Sequence, residues 1–356
     1  MEDRNIILHI VGARPQFIKL APVVRAFQDL EIPYKVLHTG QHYDYTMSDL
    51  HFDSLGLQDP EYHLGIGSDS HARQTARMLE GIEEVLIKER TEMVLIYGDT
   101  NSTLAGALCA AKLGVRVGHV EAGVRSYDRK MPEEINRIVA DRISDHHFCP
   151  TRTALNILKT EGIEGILTGD VMYDALISVQ ARDLTHPFKA PFVLVTIHRA
   201  ENTDTPEKFL AVWEALKLIS QRLPVLFPVH PRTKNKFREV ITEKGTNIQV
   251  IDPVSYFTML AMIRDARCMI TDSGGVQKEA FLLGTPCVTV RDTTEWPETV
   301  DAGANRLVEA DKDAIFDAVL TMKDIKVINT DNPFGDGHAS LKIAGFIRDN
   351  YLKGRI

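Results

Sequence analysis

The sequence predicts an α/β protein made of two doubly wound parallel domains in tandem. Short Val- and Ile-rich runs alternate with longer amphipathic stretches along the chain. That is the pattern of βαβ units, whose parallel strands are buried on both faces. The alternation pauses once, around residues 169–190, and then resumes. The length, 356 residues, suits two domains at roughly 100–200 residues each.

Strands are expected in the first half at Ile6–Val11, Tyr34–Thr39, Met93–Tyr97, Val115–Val120, His146–Cys149 and Gly165–Thr168, all short apolar runs. Between them Ile18–Leu30, Ser70–Glu89 and Thr103–Leu113 carry apolar residues at helical spacing. His186-Pro187-Phe188-Lys189-Ala190-Pro191 reads as a connector. The second series of strands is Phe192–Ile197, Val225–Val229, Ile248–Ile251, Cys268–Thr271 and Pro286–Val290. Asn329–Gly337, rich in Gly, Asp, Asn and Pro, reads as a loop before a closing helix over Ala339–Tyr351. The expected domains are 1–170 and 171–338.

Forty-one Lys and Arg against 49 Asp and Glu give a net charge of −8. No basic excess is present to neutralise a nucleic-acid backbone or an anionic membrane, so neither is an expected partner. A small anion can still bind through a few local cations and backbone amides. The longest uncharged apolar stretches, such as Ser102–Ala111 and Val254–Ile263, fall far short of the ~20 residues that span a bilayer. The charged start, Met1-Glu2-Asp3-Arg4, does not resemble a signal peptide. Cys109, Cys149, Cys268 and Cys287 lie far apart in apolar segments without a C-x-x-C pair. They read as buried free thiols in a reducing cytoplasm. Neither that spacing nor any H-E-x-x-H points to a metal, and none is expected.

In open parallel sheets, ligands bind outside the carboxyl ends of the strands. The sharpest signal there is Thr271-Asp272-Ser273-Gly274-Gly275-Val276-Gln277-Lys278-Glu279, a strand running into Ser-Gly-Gly and then a helix. Ser273 is a natural N-cap, and Gly274 and Gly275 allow close approach to the backbone. The free amides and the helix dipole favour phosphate, and Glu279 is near enough to meet a sugar hydroxyl beside it. An ordinary glycine-softened turn is the competing reading. The G-x-G pairs, Gly65/Gly67 and Gly335/Gly337, lack the third glycine of a dinucleotide fingerprint, and no G-x-x-x-x-G-K-[ST] occurs, so a sugar nucleotide or similar metabolite fits better than a nicotinamide, flavin or P-loop ligand.

Arg14 follows the first strand, with Lys19 a helical turn on; both can face an anion. Asp99 and Glu121 end two successive strands, in Tyr-Gly-Asp-Thr and Gly-His-Val-Glu-Ala-Gly. Glu133 opens a helix after Pro132, with Arg137 one turn along on the same face, an arrangement also met in plain i,i+4 ion pairs. Carboxyls in a partly dehydrated cleft serve as acids or bases. In the second half His198 ends a strand and suits proton transfer or diphosphate pairing; His230 and Arg232 are weaker candidates.

Together the blocks Gly12-Ala13-Arg14-Pro15-x-x-x-Lys19, Gln41-His42, Gly98-Asp99-Thr100, Gly118-His119-Val120-Glu121-Ala122-Gly123, Pro132-Glu133-Glu134-x-Asn136-Arg137, His198-Arg199 and Asp272-Ser273-Gly274-Gly275-x-Gln277-x-Glu279 resemble the non-hydrolysing UDP-N-acetylglucosamine 2-epimerases, in order from about residue 5 to residue 300. The resemblance implies a GT-B architecture, two Rossmann-like domains facing a central cleft that holds the nucleotide sugar, with the last helix, in 339–356, crossing back onto the first domain. It implies interconversion of UDP-GlcNAc and UDP-ManNAc without metal or nicotinamide cofactor, usually in a homodimer, for cell-surface polysaccharide synthesis. By motif, Ser273, Gly274 and Gly275 would hold the diphosphate, Glu279 the ribose, and Arg14 and Lys19 would line the cleft. Asp99, Glu121, Glu133 and His198 would be catalytic, with Arg137 supporting them.

The chain departs from this pattern at two places. Trp296 stands where many bacterial members have arginine after Thr-Thr-Glu, as in relatives that epimerise 2,3-diacetamido uronic sugars. Gln41-His42-Tyr43-Asp44 replaces the Gln-His-Arg-Glu at which some members bind a second, activating UDP-GlcNAc. Alternative activities are epimerisation of a UDP-2,3-diacetamido uronic sugar, hydrolytic release of ManNAc, and GT-B glycosyl transfer.

Overall fold

A computed structural model of the chain describes residues 6–41, 55–180, 184–229, 231–242, 245–327 and 331–352. It divides into unit 1, residues 1–178 with 332–356, and unit 2, residues 179–331. The chain begins with β1 (Ile7–Val11), α1 (Arg14–Asp29), β2 (Tyr34–His38), β3 (Tyr62–His63), α2 (His71–Glu89), β4 (Met93–Tyr97) and α3 (Asn101–Lys112). There follow β5 (Arg116–Val120), α4 (Pro132–Ile143), β6 (His146–Cys149), α5 (Arg152–Thr160), β7 (Ile166–Leu167) and α6 (Val171–Gln180).

Unit 2 holds β8 (Val193–Thr196), α7 (Ala200–Thr203), α8 (Pro206–Ser220), β9 (Val225–Pro228), α9 (Pro231–Lys236), α10 (Arg238–Ile241), β10 (Ile248–Ile251) and α11 (Tyr256–Asp265). Its remainder is β11 (Cys268–Thr271), α12 (Gly274–Leu283), β12 (Cys287–Val290), α13 (Pro297–Asp301), β13 (Asn305–Val308) and α14 (Lys312–Met322). The chain then returns to unit 1 with α15 (Ala339–Ile347) and a π-helical turn, Arg348–Leu352. The first amides of α15 donate to the buried Asp174 carboxylate of α6, Ala339 N at 3.1 Å and Ser340 N at 2.7 Å. An acidic side chain there satisfies orphan donors and meets the positive end of the helix. α15 packs on α1.

Both sheets are wholly parallel. Their strand orders are β3-β2-β1-β4-β5-β6-β7 and β10-β9-β8-β11-β12-β13. Each is the doubly wound order, with a topological switch point between β1 and β4 and another between β8 and β11. The central strands β1, β4, β8 and β11 are almost wholly buried, which is why their sequences read as continuous apolar runs. Two strands lie outside the expected set. β3 is only two residues long, and β13 carries the exposed Arg306 at a sheet edge. α1 begins at Arg14 rather than Ile18, because Pro15 fits the first helical turn. All four thiols are buried, and burial pushes each above its ordinary range, Cys109 to about 11.

Of the histidines buried within the unit 1 sheet, His9 and His38 have strongly lowered pKa values. His9 shares a 2.6 Å hydrogen bond with the Tyr97 hydroxyl, and desolvation lowers its pKa to about 3. His38 stacks on His63 with ring centroids 4.5 Å apart, and burial followed by the His63 charge lowers it to about 4. In the unfolded chain both rings take a proton near 6.5. Below that value the unfolded state binds more protons than the native state, so stability falls as the pH drops. The expected loss is roughly 2 kcal/mol per histidine at pH 5. A thermal unfolding midpoint that falls between pH 7 and pH 5 meets this expectation, and a constant midpoint contradicts it.

Candidate active site

In unit 1 the candidate residues gather at the carboxyl ends of β1, β4 and β5. The loop after β1 closes on Gln16, whose side-chain oxygen accepts from Gly12 N at 2.8 Å and Ala13 N at 3.1 Å. The Gln16 amide group donates to Tyr97 O at 2.8 Å and so ties this loop to the end of β4. Gly12 tolerates no side chain, since a Cβ there would lie 2.0 Å from Thr39 Oγ1 and 2.2 Å from Ser102 Oγ. Arg14 is half-buried at the start of α1. Lys19, one turn further, is buried and reaches Glu121, with Nζ 2.5 Å from Oε1.

The turns that present the carboxylates are strained or depend on glycine. Gly98, before Asp99, has φ +61, and a Cβ on it would lie 2.9 Å from Lys19 Nζ. Glu121 itself has φ +74, an uncommon conformation for a non-glycine residue that costs of order 1–3 kcal/mol and concentrates at functional sites. Asp99 pairs with Arg137, and Asn136 Nδ2 donates to Asp99 O at 2.9 Å. Each of the two strand-end carboxylates therefore has its own buried cation.

The i,i+4 pair between Glu133 and Arg137 does not form. Arg137 pairs instead with Glu134, three residues before it, at 2.9 Å. Glu134 is buried and also accepts from Ser126 N, Ser126 Oγ and Tyr127 N, each at 2.9 Å. It thereby folds the loop after β5 back onto α4. Glu133 is exposed and makes no ion pair among the described residues.

In unit 2 the site forms across the β8–β11 switch point. Asp272, fully buried, accepts from His198 N at 3.1 Å, Arg199 N at 2.9 Å and Asn202 Nδ2 at 3.1 Å. The same carboxylate lies 3.4 Å from His198 Nδ1, on a side chain that is 52% exposed. The His198 ring is thus oriented from behind and open in front.

Ser273 occupies the N-cap of α12, but its hydroxyl makes no capping bond; its amide instead donates to Thr271 Oγ1 at 3.0 Å. Gly275 needs no unusual φ, and a Cβ on it would meet nothing within 4 Å. Its lack of a side chain leaves open space at the helix N-terminus, where amides and dipole favour an anion. Glu279, four positions on and on the same helix face, is buried.

Beside this helix end lies the loop after β12. Arg291 clamps Glu295 at 2.6 and 3.0 Å. Lys278, fully buried, lies over the Trp296 ring with Nζ 3.9 Å from the centroid, a cation–π contact. A Cβ on Gly274 would be 3.2 Å from Glu295 Oε2 and 3.8 Å from Trp296 Nε1. Thus Trp296 stands next to the anion-favouring amides, where arginine would add a positive charge.

Glu134, Asn136 and Asp272 were quoted in the motifs without a task, and their pairing with motif neighbours is a property of the folded chain. Gln41 is buried and accepts from Ser102 N at 3.0 Å and Ser102 Oγ at 2.7 Å. His42, Tyr43 and Asp44, like His230 and the Arg232 side chain, lie outside the described residues. Among the described residues no group of three or more His, Cys, Asp or Glu could hold a metal ion, and no helix is long and apolar enough to cross a membrane.

The family model described as UDP-N-acetylglucosamine 2-epimerase matches residues 25–348. A Pseudomonas aeruginosa protein, UDP-2,3-diacetamido-2,3-dideoxy-D-glucuronate 2-epimerase, is 46% identical over 354 residues, covering 96% of this chain and 99% of its own. A Methanocaldococcus jannaschii UDP-N-acetylglucosamine 2-epimerase is 42% identical over 353 residues, covering 94% and 96%. The crystal structure of a Methanocaldococcus jannaschii UDP-GlcNAc 2-epimerase in complex with UDP-GlcNAc and UDP matches with a TM-score of 0.88 at 40% identity, covering 97% of this chain and 99% of that one. The two doubly wound units are of the GT-B class, and the chain belongs to the UDP-N-acetylglucosamine 2-epimerase family of isomerases.

Proposed function

We propose that the chain interconverts UDP-N-acetylglucosamine and UDP-N-acetylmannosamine by eliminating and re-adding UDP through a 2-acetamidoglucal. The observation that carries this reading is the pair Asp99 and Glu121, two strand-end carboxylates each fixed by its own buried cation. The C2 proton is not acidic, because C1 is an acetal carbon rather than a carbonyl. In the elimination, the C2–H bond breaks toward a carboxylate and its electrons form the C1=C2 bond. The C1–O bond breaks at the same time, its electron pair leaving on the diphosphate. In the re-addition, a carboxylic acid on the opposite face returns a proton to C2 and a diphosphate oxygen attacks C1.

Such a path needs a well-held leaving group and acid–base groups on both ring faces. The Ser273 hydroxyl and the amides of Gly274 and Gly275 serve the diphosphate, and Glu279 the ribose. Arg14 adds a cation, and Lys19 and Arg137 orient Glu121 and Asp99. His198, oriented by Asp272, donates to the diphosphate or moves a proton at its oxygen, and the exposed Glu133 is a third carboxylate for the sugar. The reaction as written uses no metal and no nicotinamide. On the same reading the enzyme works as a homodimer, which the family resemblance supports, and in the cytoplasm, which the four buried free thiols support.

One observation favours a second substrate. Trp296, in place of arginine, is shared by the resemblance with epimerases of 2,3-diacetamido uronic sugars, and the Pseudomonas aeruginosa relative bears that name. Incubating the protein with UDP-GlcNAc and with the UDP-diacetamido uronate in parallel separates the readings. Formation of UDP-ManNAc at the higher kcat/KM supports the first. Turnover of the uronate alone replaces it with the second, and free ManNAc would show hydrolysis.

A further inference from the structure

Between the two carboxylate turns of unit 1 lies a buried charged network. His119, in β5 two residues before Glu121, is fully buried. Its Nε2 lies 2.7 Å from Gly98 O and its Nδ1 2.7 Å from Asp141 Oδ1. A carbonyl and a carboxylate both accept, so each ring nitrogen faces an acceptor. The other Asp141 oxygen accepts from Arg125 NH1 at 2.6 Å and from Gly123 N at 3.1 Å. Desolvation would raise the Asp141 pKa, yet the charges and hydrogen bonds of His119 and Arg125 outweigh it and hold the carboxyl below its usual range.

The main-chain ends of this network are informative. Gly98 O belongs to the peptide that leads into Asp99, and Gly123 N closes the turn that begins at Glu121. Gly98, Glu121 and Gly123 all have positive φ, at +61, +74 and +81. Buried charge is costly to retain and is often replaceable by apolar packing without loss of stability. Here it spans two left-handed turns, a conformation that Gly98 and Gly123 take freely but that is strained at Glu121.

We propose that His119 is a positioning residue: its ring links the Gly98 carbonyl to Asp141, and through Asp141 to the Gly123 amide, setting the Asp99 and Glu121 turns as one rigid unit. This rests on the reading that Asp99 and Glu121 act at the sugar. Orienting partners behind reacting groups influence turnover more than ligand affinity.

The test compares His119→Asn with His119→Gln. The asparagine amide can stand in for Nδ1 but does not reach Gly98 O, whereas the glutamine amide can stand in for Nε2 and keep that bond. His119→Asn is expected to lower kcat by about 10–100-fold, with KM and UDP affinity within about twofold, and His119→Gln to restore most of that loss. Equal loss in both variants, or full kcat in both, overturns the proposal. If neither variant folds, the wild-type protein decides: nitrogen NMR of the ring, assigned through its contacts, shows two protonated nitrogens at pH 7.5, and a single one overturns it. Retained turnover in Asp99→Asn would instead refute the underlying carboxylate reading, whatever His119 does.

Discussion

Asp99→Asn and Glu121→Gln are each expected to lower C2 proton exchange and epimer formation by about 10²–10⁴-fold, the range for removing a positioned acid or base. UDP affinity is expected to remain within a few-fold, because neither carboxylate is assigned to the nucleotide. Both changes preserve shape and a hydrogen-bonding oxygen toward Arg137 or Lys19, so turns and packing persist. Lys19 nevertheless loses its charged partner in Glu121→Gln, and breaking a buried pair is costly. The thermal midpoint of that variant is therefore expected to fall as well. Calorimetric UDP titration beside a single-turnover assay separates these effects. Loss of UDP binding together with turnover would remove the acid–base assignment.

The second large effect is expected from Gly275→Asp. A Cβ at this position would meet nothing within 4 Å, and an aspartate in the first turn of a helix stabilises it by roughly 0.3–1 kcal/mol. The variant is therefore expected to fold at least as well as the parent. The added carboxylate occupies and repels the position where a diphosphate would sit, so UDP affinity is expected to fall more than 100-fold, about 2.7 kcal/mol. Unchanged UDP affinity in a folded variant would place the diphosphate elsewhere.

Much of the fold was legible because parallel strands buried on both faces must be apolar throughout, as at Met93–Tyr97 and Cys268–Thr271. β13 escaped because an edge strand needs no such run, and Asn305–Val308 carries an arginine in its middle. Asp99, Glu121 and Ser273–Gly275 could be singled out as candidates because ligand residues in this topology follow strand ends, which the chain marks with glycine. The pairing among them was not legible. Helical arithmetic matched Arg137 with Glu133, but the loop after β5 folds back on Glu134 and makes that the buried partner. Asp272 serves His198 and Arg199 because β11 lies beside β8, a neighbourhood set by strand order across more than seventy residues. Lys19 and Glu121 meet for the same reason, across β1, β4 and β5.

In the proposed reaction C2 is deprotonated and reprotonated as UDP leaves and returns. Incubating the protein with unlabelled UDP-GlcNAc in deuterium oxide and following the sugar by proton NMR tests it directly. Deuterium is expected at C2 in UDP-ManNAc from the first turnover and, as the reaction reverses, in the UDP-GlcNAc pool. Epimer that retains its original C2 hydrogen would contradict it.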